Sequence, residues 1–300
     1  MKLKIYADVK EFYRDTYGIL TRHEAQNLIP LGNIIIGNAG EDKTGWRDPA
    51  KWFMAAVSDG SGIRLTAIMT PPYNLTLYET GNMPADGALS CLIEGILGSE
   101  IEIPGVMTES GLAHRFADAY AAASNVEQTV RQNMRIHELE TVNITDPPIG
   151  YIRQACESDL AFLPYWIEGF HSDCFHGPFQ VGSDLERYRY EVSTRRLYIL
   201  EEAGTPVSMA QITREMQTVC GVGYVYTPPF FRNRGYATAC VEAVSRLILE
   251  HGYKKCVLYT DLANPTSNSI YRKIGYIPIC DALDIGFSRR SQTQEGTEEC

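Results

Sequence analysis

Several things are missing from this 300-residue chain, and each absence closes off a class of protein. No apolar run approaches the roughly 20 residues needed to span a bilayer. The opening Met1-Lys2-Leu3-Lys4-Ile5-Tyr6 turns polar at Asp8 without an apolar signal segment. Both point to a cytoplasmic protein with no membrane partner, so the glycosylation-like triplets at Asn74 and Asn143 carry no weight. Positive charge is scarce: 27 Lys and Arg against 37 Asp and Glu give a net charge of -10, a poor match to phosphate backbones, so no nucleic-acid partner is expected. Paired cysteines are missing too. Cys91, Cys156, Cys174, Cys220, Cys240, Cys256, Cys280 and Cys300 are scattered, with no CxxC among them. They read as free thiols in a reducing compartment, most of them small core residues. Cys300 ends the chain and so is no prenylation signal, which needs the Cys fourth from the end. Walker, GxSxG, HExxH and calcium-loop patterns are all absent.

What is present is ordinary globular composition, 44% hydrophobic and 21% charged, enough for one large or two medium domains. Asp146-Pro147-Pro148-Ile149-Gly150 reads as a linker, because two prolines and a glycine stop regular structure. The expected division is 1–145, 150–287 and a polar, disordered tail at 288–300. In the first part, the capping-box spacings Asp8/Glu11 and Thr21/Glu24 predict two helix starts. Strands are expected at 52–57 and 63–70 about a turn at 59–62, helices at 88–97 and 112–122, and one or two strands over 128–142. In the second part, a strand over 151–155 precedes a helix capped by Ser158 and running through Trp166. A helix over 185–192 and a hairpin of 196–201 with 207–213 follow. Next come a strand over 219–227, an amphipathic helix over 235–250, a strand over 256–260 and a helix from the Asn264 cap to Gly275. Two final strands are expected at 276–280 and 283–287. Thr70-Pro71-Pro72-Tyr73 and Thr227-Pro228-Pro229-Phe230 echo each other, a similarity for which chance is the better reading.

The strongest chemical feature is Val225-Tyr226-Thr227-Pro228-Pro229-Phe230-Phe231-Arg232-Asn233-Arg234-Gly235-Tyr236-Ala237-Thr238. A buried strand ends, a basic turn follows and a helix begins. Free amides and the dipole at a helix start favour an anion, Gly235 lets a backbone come close, and Arg232 and Arg234 supply donors to phosphate oxygens. The implied chemistry is pyrophosphate binding; an ordinary basic helix start is the alternative. Gly221-Val222-Gly223 does not complete a dinucleotide-binding fingerprint, since Tyr226 falls where the third glycine belongs.

Arg-x-x-Gly-x-Ala after an apolar strand resembles the coenzyme A loop of the GNAT superfamily of N-acyltransferases. Asn264-Pro265-Thr266-Ser267-Asn268-Ser269-Ile270-Tyr271-Arg272-Lys273-Ile274-Gly275-Tyr276 resembles the second signature of that superfamily. The two occur in the expected order and cover about 151–287; the first half resembles the degenerate GNAT-like domain of two-domain members. The resemblance implies an α/β (α+β) protein of tandem GNAT-like domains, the C-terminal one with a mixed, mostly antiparallel central sheet flanked by helices. It implies acetyl-CoA as co-substrate, no metal, and a small-molecule amine acceptor; oligomeric state stays open, a homodimer included. Val225, Tyr226 and Thr227 would pair with the pantetheine arm on a strand that splays from its neighbour. Arg232, Asn233, Arg234, Gly235, Tyr236, Ala237 and Thr238 would hold the pyrophosphate, and Asn264 and Ser267 would lie by the pantetheine. Tyr271 would be the general acid; from its spacing with Ile270 and Ile274, packing is the alternative. Glu215 and Asp261 are both considered as bases and neither is chosen. His171-Ser172-Asp173-Cys174-Phe175-His176 suits an acceptor wall, with Trp166 and Phe170, better than a metal site. The rival function is a non-catalytic acyl-CoA sensor or scaffold. Among acceptors, aminoglycosides, amino acids and protein N-termini are unranked.

Overall fold

The computed structural model describes residues 1–40, 48–81, 83–99, 101–144, 149–175 and 185–290. Most of the expected linker, Asp146 to Pro148, lies outside these residues, as do His176 and the tail from 291. Along the chain run β1 (Lys2–Ile5), α1 (Val9–Leu20), α2 (Leu28–Ala39), β2 (Phe53–Asp59), β3 (Gly62–Met69) and β4 (Thr76–Glu79). Then come α3 (Asp86–Gly98), β5 (Gly105–Glu109), α4 (Ser110–Ala123) and β6 (Val126–Leu139). The second half holds β7 (Tyr151–Gln154), α5 (Leu163–Phe175), α6 (Leu185–Ser193), β8 (Leu197–Glu202), β9 (Thr205–Glu215) and β10 (Val219–Tyr226). It ends with α7 (Tyr236–Glu250), β11 (Lys255–Asp261), α8 (Pro265–Ile274) and β12 (Ile277–Arg289). The two halves repeat one order: a strand, two helices, three strands, a helix, a strand, a helix and a last strand.

The chain divides into two compact units, and neither is continuous in sequence. One comprises Met1–Ile19, Gly37–Asn133 and Ala282–Cys300, the other Leu20–Ile36 and Met134–Asp281. This differs from the expected cut between 145 and 150, because each half gives its last strand away. In the first unit, β1 to β4 form an antiparallel sheet and β5 pairs antiparallel with Ala282–Gly286 of β12. In the second, β7, β8, β9 and β10 pair antiparallel in turn, β10 meets β11 in parallel, and Met134–Leu139 of β6 closes on β11. In each unit one strand is therefore paired with a segment from the opposite half of the chain: β5 with β12, and β11 with β6.

Period-two burial builds the second unit. On β8, Tyr198 and Leu200 join the apolar layer beneath α7 and α8, whereas Leu197 and Ile199 join the layer beneath α5 and α6. Cys240, Val241, Val244 and Ile248 recur at helical spacing on α7 and are sealed against the sheet. The expected hairpin is present, its two-residue turn placing Ala203 and Gly204 at φ 49° and 76°.

Three expectations change. No helix starts at Thr21 beyond a short 3-10 turn, because the Glu24 carboxylate accepts hydrogen bonds from the amide and hydroxyl of Thr218, at 3.0 and 2.7 Å, instead of capping a helix. Ser158 is not the cap of the next helix: Cys156 and Asp159 form the capping box of a 3-10 turn, and α5 then runs on past Trp166 to 175. The two strands expected over 276–287 are one, and 128–142 likewise forms one strand ending at Leu139. The Thr-Pro-Pro echo fits chance, as expected, since Thr70 follows the third strand of its half and Thr227 the fourth.

If β12 completes the first unit, truncating Ile285, which is 1% exposed, should be felt there. Ile285→Ala should lower unfolding free energy by about 2–5 kcal/mol in denaturant titration. Amide exchange should speed in β5 and α4, which lie more than 150 residues earlier in the sequence.

Candidate functional site

The pairing of β10 with β9 shifts at two places, between Cys220 and Val222 and again between Gly223 and Tyr226. The register runs Val222↔Ile212 and Gly223↔Gln211, then slips so that Tyr226 faces Met209. Three steps on β10 match two on β9, which is a bulge, and Tyr224 takes the left-handed φ of 51° within it. On the other side β10 pairs with β11 only at Val219, Cys220 and Gly221. β11 continues to Asp261, held by β6 through Met134. Beyond Gly221 and Val257 the two strands share no pairs among the described residues, so the bulged end of β10 presents an open backbone edge. The Ser208 hydroxyl donates to the Tyr226 carbonyl at 3.0 Å and lies 2.9 Å from the Thr227 hydroxyl, fixing the parted end to β9.

Past this edge the chain makes a short turn at Pro229–Phe231 and enters α7. Asn233 and Gly235 have φ of 61° and 84°. Positive φ in alternation curls successive amides round a concavity, the shape that cradles anions. No side chain caps α7, so its first amides are left for an external partner. A Cβ on Gly235 would sit 3.1 Å from Ile149 and force a left-handed conformation on a branched residue. The arginines divide. Arg232 donates to the Thr227 carbonyl at 3.0 Å and pairs with Asp173 of α5 at 2.6 Å. Arg234 is exposed, stands 5.3 Å over the Phe230 ring and makes no ion pair among the described residues. Arg234 is thus the cation open to a phosphate, and Arg232 is tied to the strand end and α5.

Tyr271 lies on α8 in the same apolar cluster as Val225, Phe231, Tyr236 and Cys240. The turn, the strand end and the phenol thus contribute to one apolar cluster. Its ring meets Tyr276 edge-on at 5.9 Å. Burial raises its pKa, with Cys174 and Cys240 adding to the effect, so the phenol keeps its proton throughout the working pH range. Asn264 caps α8 as its position in the sequence predicts. The Asn264 side chain accepts from the Ser267 amide at 3.0 Å, a helix cap that engages both residues. Asn268 was missed by the sequence reading: it accepts from Thr260 and donates to the Asp261 and Asn264 carbonyls, clamping α8 to the end of β11. Its spacing of four from the cap was the available signal. Glu215 pairs with Cys220 at the far end of β10, about 20 Å of strand from Tyr226, and binds Arg196 and Tyr253. It is no base for this site. Asp261 stands at the correct end of β11.

The other face of the strand end meets α5. Phe170 stacks on Tyr224 at 4.9 Å, and Trp166 approaches Tyr226 at 6.3 Å. His171 meets Tyr224 edge-on at 5.7 Å, and burial, with Arg187 nearby, lowers its pKa to about 4. Cys174 is pushed up to about 11 by burial and by Asp173 and Asp261, so it stays a thiol. No cluster of three metal-ligating residues occurs among the described residues.

The first unit carries the same framework with different chemistry. Glu109 caps α4, and Phe116 is the seventh residue beyond that cap, as Tyr271 is the seventh beyond Asn264. The counterpart of the phenol is a phenyl ring. At the start of α3, Ala85 replaces the glycine, its amide donates to Glu79 at 2.6 Å, and Arg115 bridges Glu79 and Asp86. Internal carboxylates stand where an anionic ligand would bind.

Residues 166–276 match the acetyltransferase (GNAT) family. The whole fold is similar to solved structures at low sequence identity. A GCN5-related N-acetyltransferase from Sphaerobacter thermophilus aligns with TM-score 0.64 and 14% identity over 96% of each chain. A GNAT-family acetyltransferase from Colwellia psychrerythraea aligns at 0.57 and 11% over 97% of this chain and 100% of that one. A tandem GNAT protein of the clavulanic acid pathway aligns at 0.53 and 10%, covering 96% and 98%. The tandem GNAT fold inferred from the two signatures is therefore the fold of the chain. No curated protein matches the sequence. No helix among the described residues is long and apolar enough to cross a membrane.

Two outcomes follow. The backbone of Gly169 touches the Tyr226 ring, so a Cβ there would displace it. Gly169→Ala should shift the tyrosine ring resonances at the end of β10 while leaving the far-UV spectrum unchanged. His171 should stay uncharged well below the ordinary histidine range, its carbon shifts moving only as pH falls toward about 4. Because the folded form resists this proton, stability should decline as pH drops from about 6.5 through 4, and His171→Phe should flatten part of that slope.

Proposed function

We propose that the chain is an N-acetyltransferase that moves the acetyl group of acetyl-CoA to a small-molecule amine in a ternary complex. The observation that carries the reading is the meeting of three features at one end of the second sheet. These are the parted edge of β10, the uncapped α7 start behind Gly235, and Tyr271 in the cluster that joins them. The pantetheine arm would complete the open edge with strand-like hydrogen bonds. The pyrophosphate would rest on the amides from Gly235 to Thr238, with Arg234 on its oxygens. Metal is not needed for this chemistry. The seven free cysteines among the described residues accord with a reducing, cytoplasmic setting.

In the reaction, the amine nitrogen attacks the thioester carbonyl, a C–N bond forms and the C–S bond breaks. A free alkyl ammonium must first lose its proton, at a cost of about 4 kcal/mol at pH 7. Asp261 would receive that proton, directly or through water. The departing sulfur takes the phenol proton of Tyr271, the acylated nitrogen releases its second proton to solvent, and solvent restores the proton of the phenol. The buried phenol holds its proton until negative charge develops beside it, as a general acid must.

Tyr271→Phe should reduce kcat by about 10²–10⁴ with acetyl-CoA affinity little changed, measured by thiol release and calorimetry. Gly235→Val should instead weaken acetyl-CoA binding first, with the fold intact by circular dichroism. Tight acetyl-CoA binding without turnover of any amine would replace the reading with that of an acyl-CoA sensor.

A further inference from the structure

The proposed reaction leaves the amine unspecified, and the face of β10 turned toward α5 bears on its identity. Alternation puts Val225 among the α7 and α8 residues and turns Tyr224 and Tyr226 to the other side. There α5 presents Trp166 and Phe170, four residues apart on one face, while Gly169 between them lets Tyr226 lie against the helix backbone. These four rings are half-buried, whereas Phe12, Phe53 and Phe116 elsewhere are sealed. The rings share the strand end whose other edge is open for the donor. Of the polar groups near them, Asp173 is engaged with Arg232 at 2.6 Å and Gln211 with Glu191 at 2.7 Å, while His171 meets Phe170 and Tyr224 edge-on. A polyhydroxylated or polycationic acceptor would lose water here and find few partners in return. A flat apolar ring would gain stacking and edge-to-face contacts.

Resting on the N-acetyltransferase reading, we infer that the acceptor is a primary amine carrying an aromatic ring, held by Trp166, Phe170, Tyr224 and Tyr226 with its nitrogen toward the thioester. The ring binds on the α5 side of β10, the donor on the α7 side, and the two meet at the bulge.

Steady-state kinetics with acetyl-CoA and four amines test this: phenethylamine, hexylamine, ethanolamine and kanamycin. Phenethylamine should exceed hexylamine in kcat/KM by about tenfold, with the other two lower still. Phe170→Leu and Trp166→Leu should each raise the phenethylamine KM several-fold more than the hexylamine KM, with thermal melts reporting that each variant folds. Equal kcat/KM for phenethylamine and hexylamine, or a preference for kanamycin, overturns the aryl assignment and leaves acetyl transfer standing. An arm with benzoyl-CoA and ethanolamine separates the alternative source of a ring: an aryl preference residing in the acyl group overturns the assignment to the amine. Acetyl-CoA binding without turnover of any amine overturns the reading beneath it and the inference together.

Discussion

The site depends on a strand that pairs with its neighbour for three residues and then leaves it. Up to Gly221, β10 pairs in parallel with β11. One extra residue at the bulge, with Tyr224 in a left-handed conformation, turns the strand away. A parted edge exposes amides and carbonyls that must be satisfied, so it is held open from outside. Ser208 and Thr227 pin one lip, and Asn268 and the Asn264 cap tie α8 to the other. The helix that starts at Gly235 and the phenol of Tyr271 are positioned by those same ties.

The two units use one plan and differ in what they place at equivalent points. In the first, Leu75 bridges to Val106 and the Thr108 hydroxyl donates to the Leu77 carbonyl at 2.6 Å, so part of the corresponding edge is bonded internally. Phe116 stands at the cap-counted position of Tyr271, and Glu79 takes the Ala85 amide. The first unit thus keeps the architecture and fills its ligand-binding points with its own side chains.

Much of this was legible in the residues. The turn after Tyr226 and the helix capped by Asn264 are local patterns, and local patterns survive in the sequence because backbone sterics and capping act over a few residues. The hairpin about Ala203 and Gly204 was readable for the same reason. Glu24 was misread because a capping-box spacing says nothing of Thr218, which lies 194 residues away. Arg232 looked like a phosphate ligand by its motif position, and its partner Asp173 sits on a different helix. The aromatic face was half visible: Trp166 and Phe170 could be noted, whereas their match to Tyr224 and Tyr226 depends on the bulge that sets strand direction.

The exchange of final strands also bears on how the chain reaches its fold. The first unit draws on Ala282–Gly286 to pair with β5, so that pairing waits for a segment far along the chain. The second cannot use Met134–Leu139 until β11 exists to receive it. Such pairings between distant segments raise contact order and slow folding. Neither half can complete itself from its own residues alone, and the edge of β5 stays exposed to wrong partners until β12 has been made.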